Sequence, residues 1–189
     1  MKKLILAASV ALLTACAAPQ QEQIDFMPKS VLSNSDIVSG KSYTLTSRDS
    51  RSAQYVALLD SGRSNIEPVH ARQNLRISLE NAIADQFASQ GFRNSVNSDS
   101  AVELDIQEAL VNVTQTMMSN EMKAHVTLVL SVETPTGKMV KTYTGTAQKT
   151  DSFSASKEDV EAVLNDVTNL VLVEISKDKE LQNYMKERF

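Results

Sequence analysis

The sequence contains few of the residues that build catalytic and metal sites. Its 189 residues include one cysteine, two histidines, five glycines and no tryptophan. One thiol cannot close an internal disulfide, and so few glycines leave little material for a phosphate-binding loop or a dinucleotide-binding turn. The Gly-x-Ser-x-Gly nucleophile elbow does not occur either. We therefore predict that the protein is not an enzyme, has no cofactor and no metal site, and carries His70 and His125 as solvated surface residues.

Extensive apolar runs and an excess of positive charge are also missing from most of the chain. The composition is 42% hydrophobic and 22% charged, with a net charge of -4. These values are ordinary for a globular domain and exclude collagen-like and multi-span membrane proteins. An acidic chain is a poor binder of nucleic acid, so we expect no nucleic-acid partner.

One apolar run is present, at residues 4–13, directly after Lys2 and Lys3. As a helix, about ten residues rise roughly 15 Å, which is half of the roughly 30 Å core of a bilayer. The run is therefore too short to span a membrane and is typical of a secretion signal. Removal of the signal also removes both lysines and leaves the chain more acidic.

The only cysteine, Cys16, stands at the end of this signal in the sequence Leu13-Thr14-Ala15-Cys16. Small residues before a cysteine at this position resemble the bacterial lipobox. The resemblance implies a signal peptide over residues 1–15, cleavage between Ala15 and Cys16, a diacylglyceryl group on the Cys16 thiol, and acylation of the new amino terminus. The alternative is that Cys16 is a chance residue within a signal cut elsewhere.

The lipobox also implies a membrane address. Each buried methylene of an acyl chain contributes about 0.8 kcal/mol, so three chains hold a protein durably at a bilayer. Ala17 follows the cysteine, whereas lipoproteins retained in the inner membrane of enteric-type bacteria typically carry aspartate there. We therefore expect the mature protein to contact the membrane through acyl chains on Cys16 and to lie at the periplasmic leaflet of the outer membrane.

The mature chain divides by composition into a short polar segment and one longer unit. Residues 16–41 are rich in Gln, Ser and Asn, which predicts a lipidated N-terminus followed by a flexible tether. Residues 42–189 suit a single periplasmic domain. As an alternative, Ile24, Phe26 and Val31 add an edge strand or pack on the domain.

Alternating apolar residues predict the strands. The clearest pattern covers residues 122–132, where every even position is apolar. In residues 102–113 the apolar positions change parity, which predicts a one-residue bulge near Gln107-Glu108. A turn at Met118-Ser119 would pair Val111 with Val126 and Val113 with Ala124. Further strands are expected at residues 41–46 and 138–149, and the pattern does not assign which residues of 138–149 face inward. Residues 55–59 form a short strand or a packed loop.

Helical periodicity and capping signals predict three helices. The first is expected from Pro68 to Gly91, and the second follows a capping box at Ser156 and Asp159. A third, short helix is expected over residues 178–189. These elements predict an α+β fold: a two-layer sandwich in which two or three helices pack on one face of a mainly antiparallel sheet of about four strands.

One polar cluster, Asp49-Ser50-Arg51, follows the first predicted strand. Asp49 and Arg51 are candidates for a partner contact where the strand emerges. In the structural alternative, Asp49 accepts backbone amides at a turn and Arg51 pairs with it or with a helix end. Arg72 and Arg76, four residues apart, are expected to be solvated, with Asp49 or an anionic lipid as a further possible contact.

Several features together resemble the YajG-type lipoproteins of Gram-negative bacteria. They are the lipobox, the strand leading to Asp49-Ser50-Arg51, the Leu75-Arg76 helix closing at Gly91-Phe92, the hairpins of residues 102–149 and the terminal helices. The resemblance covers almost the whole mature chain, and its motifs are loose apart from the lipobox. It implies an outer-membrane lipoprotein with a periplasmic domain, and it supplies no catalytic residues. The helix-on-sheet plan also resembles outer-membrane lipoproteins that assist lipopolysaccharide or phospholipid transport, an analogy of fold and address alone.

Two functional hypotheses remain. The first is a non-enzymatic accessory or adaptor lipoprotein that binds another envelope protein, for which open sheet edges are suited. The second is a carrier that holds an acyl chain between the helices and the sheet, or a glycan on the polar sheet face with Lys123, His125 and Thr127. A peptidoglycan binder is a third possibility, for which the sequence shows no recognisable signature.

Overall fold

The computed structural model describes residues 22–62 and 65–189, and this part of the chain forms eight strands and three helices. Ala15 and Cys16, and with them the predicted signal peptide and acylation site, lie outside the described residues. The elements are β1 (Gln23–Ile24), β2 (Ser42–Asp49), β3 (Tyr55–Asp60), β4 (Ile66–Ala71), α1 (Leu75–Ser89), β5 (Arg93–Asn94), β6 (Ala101–Gln115), β7 (Ser119–Thr134), β8 (Gly137–Ser152), α2 (Lys157–Lys177) and α3 (Lys179–Arg188).

The sheet is mixed and has eight strands in the described residues, so the expected two-layer sandwich on a mainly antiparallel sheet of about four strands is wrong, although the fold is α+β. Strand β6 pairs antiparallel with β7, which pairs antiparallel with β8. Along its other edge, β6 pairs in parallel with β2 through its first half and with β3 through its second half. The pairs β1–β4 and β2–β5 are also parallel, and β3–β4 is antiparallel. A strand of 15 residues is long enough for two successive partners on one edge.

The bulge predicted near Gln107-Glu108 is confirmed, because the β6–β7 register shifts between Ile106 and Glu108. The predicted hairpin register is wrong: Val111 pairs with Ala124 and Val113 with Met122. The turn lies one residue earlier than predicted. Ser119 already belongs to β7, and its carbonyl accepts a hydrogen bond from the Thr116 backbone N–H at 2.8 Å. Shifting the turn by one residue moves each partner by two and keeps the apolar residues on the same face.

Helix α1 begins at Leu75 rather than at Pro68, because Asn74 caps it by accepting a hydrogen bond from the Ile77 backbone N–H at 3.1 Å. Pro68 lies in β4 opposite Leu58. On the other edge of β4, β1 pairs only with His70 and Ala71. Proline is tolerated there because that edge needs no N–H at residue 68.

Helices α2 and α3 lie close to their predicted positions. Helix α2 packs against one face of the sheet formed by β6, β7 and β8. The capping box at Ser156 and Asp159 is present, and Asp178 caps α3. Helix α2 comes close to Gly145 of β8, where a Cβ atom would lie 2.7 Å from Val171 Cγ2 and 3.0 Å from Val167 Cγ1. Glycine therefore allows α2 to pack directly on the strand. Beside Gly145 the inward set of β8 includes Met139, Tyr143 and Ala147.

The segment before residue 42 differs from the tether expected over residues 16–41. Ile24 and Phe26 are 2% and 1% exposed and belong to the core. The backbone N–H groups of Asp25, Met27 and Lys29 then donate to Glu161, Asn165 and Asn169 along α2, at 2.7, 2.8 and 2.8 Å. Residues 23–29 therefore add a short strand and pack on the domain, as in the alternative given for this segment.

Among residues 22–62 and 65–189, none of the helices combines the length and the apolar character that crossing a bilayer requires.

Candidate functional site

Asp49 and Arg51, the residues predicted as a partner contact, form a closed ion pair at the end of β2. Arg51 Nε and Nη2 donate to Asp49 Oδ1 and Oδ2 at 2.9 and 2.8 Å, and Arg51 Nη1 donates to the Tyr55 carbonyl at 3.2 Å. The two side chains are only 14% and 5% exposed. Burial raises the pKa of Asp49, but the hydrogen bonds and charge of Arg51 outweigh it, so the pKa lies below its ordinary value. This geometry is that of the structural alternative.

Two clefts flank this pair, and Arg51 lines both. The larger, about 440 Å³, also includes Arg72 and Arg76, and the smaller, about 350 Å³, includes Gln107 and Glu108. Arg72 and Arg76 do not pair with Asp49. Arg72 pairs with Asp25 at 2.7 Å, and Arg76 contacts Glu80 at 3.1 Å and the Ser47 hydroxyl at 2.7 Å. Because each guanidinium faces a carboxylate, the cleft offers no concentrated positive charge.

Asp105, on β6, is a buried acid that sequence reasoning missed. It is 4% exposed and accepts hydrogen bonds from Arg48 Nη2 at 2.9 Å, Ser50 Oγ at 2.6 Å and Gln107 Nε2 at 3.3 Å. Burial raises its pKa, and these donors lower it further than burial raises it, which leaves the pKa below the ordinary value. The alternation of Val102, Leu104 and Ile106 assigns Asp105 to the polar face. Only the parallel pairing with β2 shows that it is covered.

The polar face of β6, β7 and β8 holds a shallow depression of about 440 Å³. Its lining includes Lys123 and His125, as well as Glu108, Asn112, Thr146 and Gln148. His125 Nε2 lies 3.5 Å from Glu108 Oε2, and Lys123 pairs with Glu121 at 3.0 Å. Thr127 faces Thr144 across the β7–β8 pair, with the hydroxyl oxygens 3.5 Å apart. Such a surface can exchange hydrogen bonds with a polar ligand. His70 lies elsewhere, in β4, where it is half-buried.

Metal ligands do not converge in the described part of the chain, where no group of three or more His, Cys, Asp or Glu side chains is placed to hold an ion.

The outer edge of β8 is the longest open edge in the described sheet. Strand β8 has 16 residues and pairs only with β7, whereas β1 and β5, the terminal strands on the other side, have 2 residues each. Its central residues 142–148 carry no charge. Lys141 and Lys149 flank them and are paired with Asp178 at 3.2 Å and with Asp159 at 2.9 Å. An unpaired edge presents backbone donors and acceptors to a strand of another chain.

The described residues thus form an α+β domain with one long unpaired edge. Residues 28–186 match a family model described as uncharacterized lipoprotein, so the chain belongs to this lipoprotein family. The match covers most of the domain and leaves out β1 and the last residues of α3. No curated protein matches the chain.

Two solved structures are similar to this chain. Protein XCC0632 from Xanthomonas campestris, of the DUF330 family, is 14% identical, with 83% of this chain and 98% of that chain covered and a TM-score of 0.51. A Helicobacter pylori protein, provisionally described as a neuraminyllactose-binding hemagglutinin homolog, is 10% identical, with 87% and 95% covered and a TM-score of 0.43. The first likeness concerns the fold alone, and the second is too low to carry an argument.

Proposed function

We propose that this lipoprotein is a non-enzymatic adaptor of the outer membrane, anchored by acyl chains on Cys16, whose periplasmic domain binds another envelope protein by strand addition to β8. Membership of a lipoprotein family supports the anchor. The observation that carries the adaptor role is the open edge of β8, because main-chain hydrogen bonds to an exposed edge are a recurrent mode of peptide recognition.

The hairpin geometry identifies the backbone groups available to a partner. Residues 135–136 form a two-residue turn, which makes Thr134 and Gly137 a hydrogen-bonded pair. Because hydrogen-bonded and non-hydrogen-bonded pairs alternate in an antiparallel ladder and β7–β8 has no register shift, odd-numbered residues of β8 bond to β7. The N–H and C=O groups of Thr142, Thr144 and Thr146 therefore point to the open edge.

Proline at residue 144 provides a selective test. Thr144→Pro removes one outward N–H, and edge strands tolerate proline at such a position. We expect the variant to fold and to lose at least about tenfold in affinity for its partner. One backbone hydrogen bond contributes about 1 kcal/mol, and a partner strand that is displaced at residue 144 also loses the adjacent hydrogen bonds. The measurement is recovery of partner after photo-crosslinking in cells that express the full chain at native abundance.

Thr144→Ala is the matched control, because it removes the side chain and keeps the N–H. Equal recovery with proline and with alanine would contradict strand addition, and failure of the native chain to trap any discrete protein would contradict the adaptor role. Native mass spectrometry of the purified protein separates the carrier alternative, in which a lipid or glycan mass stays bound. The depression beside His125 is suited to a glycan, whereas the contact of Gly145 with Val171 leaves little space for an acyl chain under α2.

A further inference from the structure

Three large apolar side chains are exposed together at one end of the sheet. Met117 and Met118 form the β6–β7 turn, and Phe153 follows the end of β8. Their exposed fractions are 101%, 83% and 81%. The Phe153 backbone N–H donates to the Met118 carbonyl at 3.3 Å, so the two segments are in contact. We call these three residues the apolar tip.

The apolar tip is held in place by the residues beneath it. Asn120, 2% exposed, donates from Nδ2 to the Phe153 carbonyl at 2.8 Å. Phe153 has a φ of 75°, which a bulky residue rarely adopts. The Thr116 hydroxyl accepts a hydrogen bond from the Ser119 backbone N–H at 3.1 Å and so closes the turn. The fold therefore fixes an aromatic side chain in a disfavoured backbone conformation and directs it to solvent rather than to the core.

The chain enters the domain from the same end. Asp60 pairs with Thr114 on β6 and with Ile66 at the start of β4, so β4 runs away from the apolar tip. Strand β1 is parallel to β4 and pairs with its last two residues, His70 and Ala71, so β1 also runs away from the apolar tip. Glu22, directly before β1, lines a small cavity with Ala155 and Ser156, which follow Phe153 by two and three residues. From Asp25 onward the segment follows α2 away from the apolar tip. Traced backwards from β1, the chain at Glu22 therefore heads toward the apolar tip.

The length of the connection sets how far the anchor can lie from the domain. Five residues lie between Cys16 and Glu22. A fully extended chain spans at most about 3.6 Å per residue, so the six steps from Cys16 to Glu22 span roughly 20 Å. Acyl chains on Cys16 therefore hold this end of the domain within about one leaflet's thickness of the bilayer. We propose that the apolar tip inserts into the interface of the membrane that holds the anchor, as a second membrane contact. This inference rests on the proposed anchor at Cys16.

The charges around the apolar tip specify the kind of membrane contact. The nearby acids outnumber the nearby bases: the acids are Asp60, Glu121, Asp151, Glu158 and Asp159, and the bases among the described residues are Lys123, Lys149 and Lys157. An acidic rim is not attracted to anionic headgroups. Insertion therefore depends on the apolar side chains, and we expect it in vesicles of zwitterionic lipid.

The test uses the full, acylated chain in vesicles of phosphatidylcholine and phosphatidylethanolamine. With Cys16 acylated, Met118→Cys provides the only free thiol for an environment-sensitive fluorophore. Val96→Cys is the matched control: Val96 is 87% exposed and precedes β6, at the opposite end of that strand from the apolar tip. We expect the label at residue 118 to shift to shorter wavelength and to be quenched at least threefold more strongly by doxyl-labelled lipid than the label at residue 96.

Flotation of the vesicles separates the two ways in which the inference can fail. Protein that does not float overturns the anchor and the inserted tip together. Floating protein with equal quenching at residues 118 and 96 overturns the inserted tip and leaves the anchor in place. A label at residue 118 that is shielded in cells but not in protein-free vesicles also overturns insertion, and indicates that a protein covers the apolar tip.

Discussion

At the scale of single residues, the ion pair between Asp49 and Arg51 should contribute more to the free energy of unfolding than an exposed ion pair does. Both charges are removed from water, and their mutual attraction and hydrogen bonds compensate for that loss only while both are present. Surface pairs such as Arg72–Asp25 differ, because their side chains are 54% and 32% exposed and water screens the interaction.

Replacement of Asp49 should therefore destabilise the protein strongly. We expect Asp49→Ala to lower the free energy of unfolding by about 3 to 5 kcal/mol, because it leaves the buried Arg51 guanidinium without its counterion. Arg72→Ala, the control, should cost less than about 1 kcal/mol. Urea denaturation of both variants at neutral pH measures the difference. Equal losses would show that Arg51 finds water or another acceptor when Asp49 is absent.

At the scale of elements, α2 shows how local sequence determines a helix start. Ser156 Oγ accepts from the Asp159 backbone N–H at 3.1 Å, and Asp159 Oδ2 accepts from the Ser156 backbone N–H at 3.1 Å. Lys149 on β8 also contacts Asp159 at 2.9 Å. The hydrogen bonds from Ser156, then the one from Lys149, lower the pKa of Asp159 from 3.8 to about 2.

The capping box leads to a stability prediction that depends on pH. We expect Ser156→Ala to lower the free energy of unfolding by about 1 kcal/mol at neutral pH. A lowered folded-state pKa adds stability above the unfolded value of 3.8, and that stability disappears as the pH falls through about 2. The loss caused by Ser156→Ala should therefore shrink between these two pH values. Ser154→Ala, at an exposed site just before the helix, serves as the control in the same pH series, and a pH-independent loss would contradict the role of Asp159.

The elements that sequence reasoning located are those whose signals are local. The capping box of α2 and the parity change at Gln107 lie within a few residues of what they determine. The sheet order does not, because β2 and β3 join β6 across about 55 residues of chain. Pro68 favoured a helix start locally, and only the tertiary pairing with Leu58 shows that it belongs to a strand.

The same distinction applies to the candidate sites. The ion pair between Asp49 and Arg51 spans two residues and was foreseen as the structural alternative. The burial of Asp105 required the parallel partner β2, and the apolar tip required the end of β8 to meet the β6–β7 turn. The sequence predicted a turn at Met118-Ser119, but it could not show that Phe153 lies beside that turn.

At the scale of the whole molecule, the segment after Glu22 connects the anchor to the fold. It adds β1 to the sheet, buries Ile24 and Phe26, and follows α2 through three backbone hydrogen bonds. Because this segment belongs to the domain, the anchor proposed at Cys16 would leave only residues 17–21 as a spacer. A short spacer limits how far the domain can rotate relative to the bilayer.

Neighbouring residues of this segment give a test with a built-in control. Phe26 is 1% exposed and Met27 is 64% exposed. We expect Phe26→Ala to lower the free energy of unfolding by about 3 to 5 kcal/mol, because it removes a buried aromatic ring and leaves a cavity in the core. Met27→Ala should change it by no more than about 0.5 kcal/mol. Denaturant unfolding of the full chain measures both. If Phe26→Ala proved as mild as Met27→Ala, the segment would be a loosely attached tether, the domain could turn freely about its anchor, and the orientation that brings the apolar tip to the membrane would lose its mechanical basis.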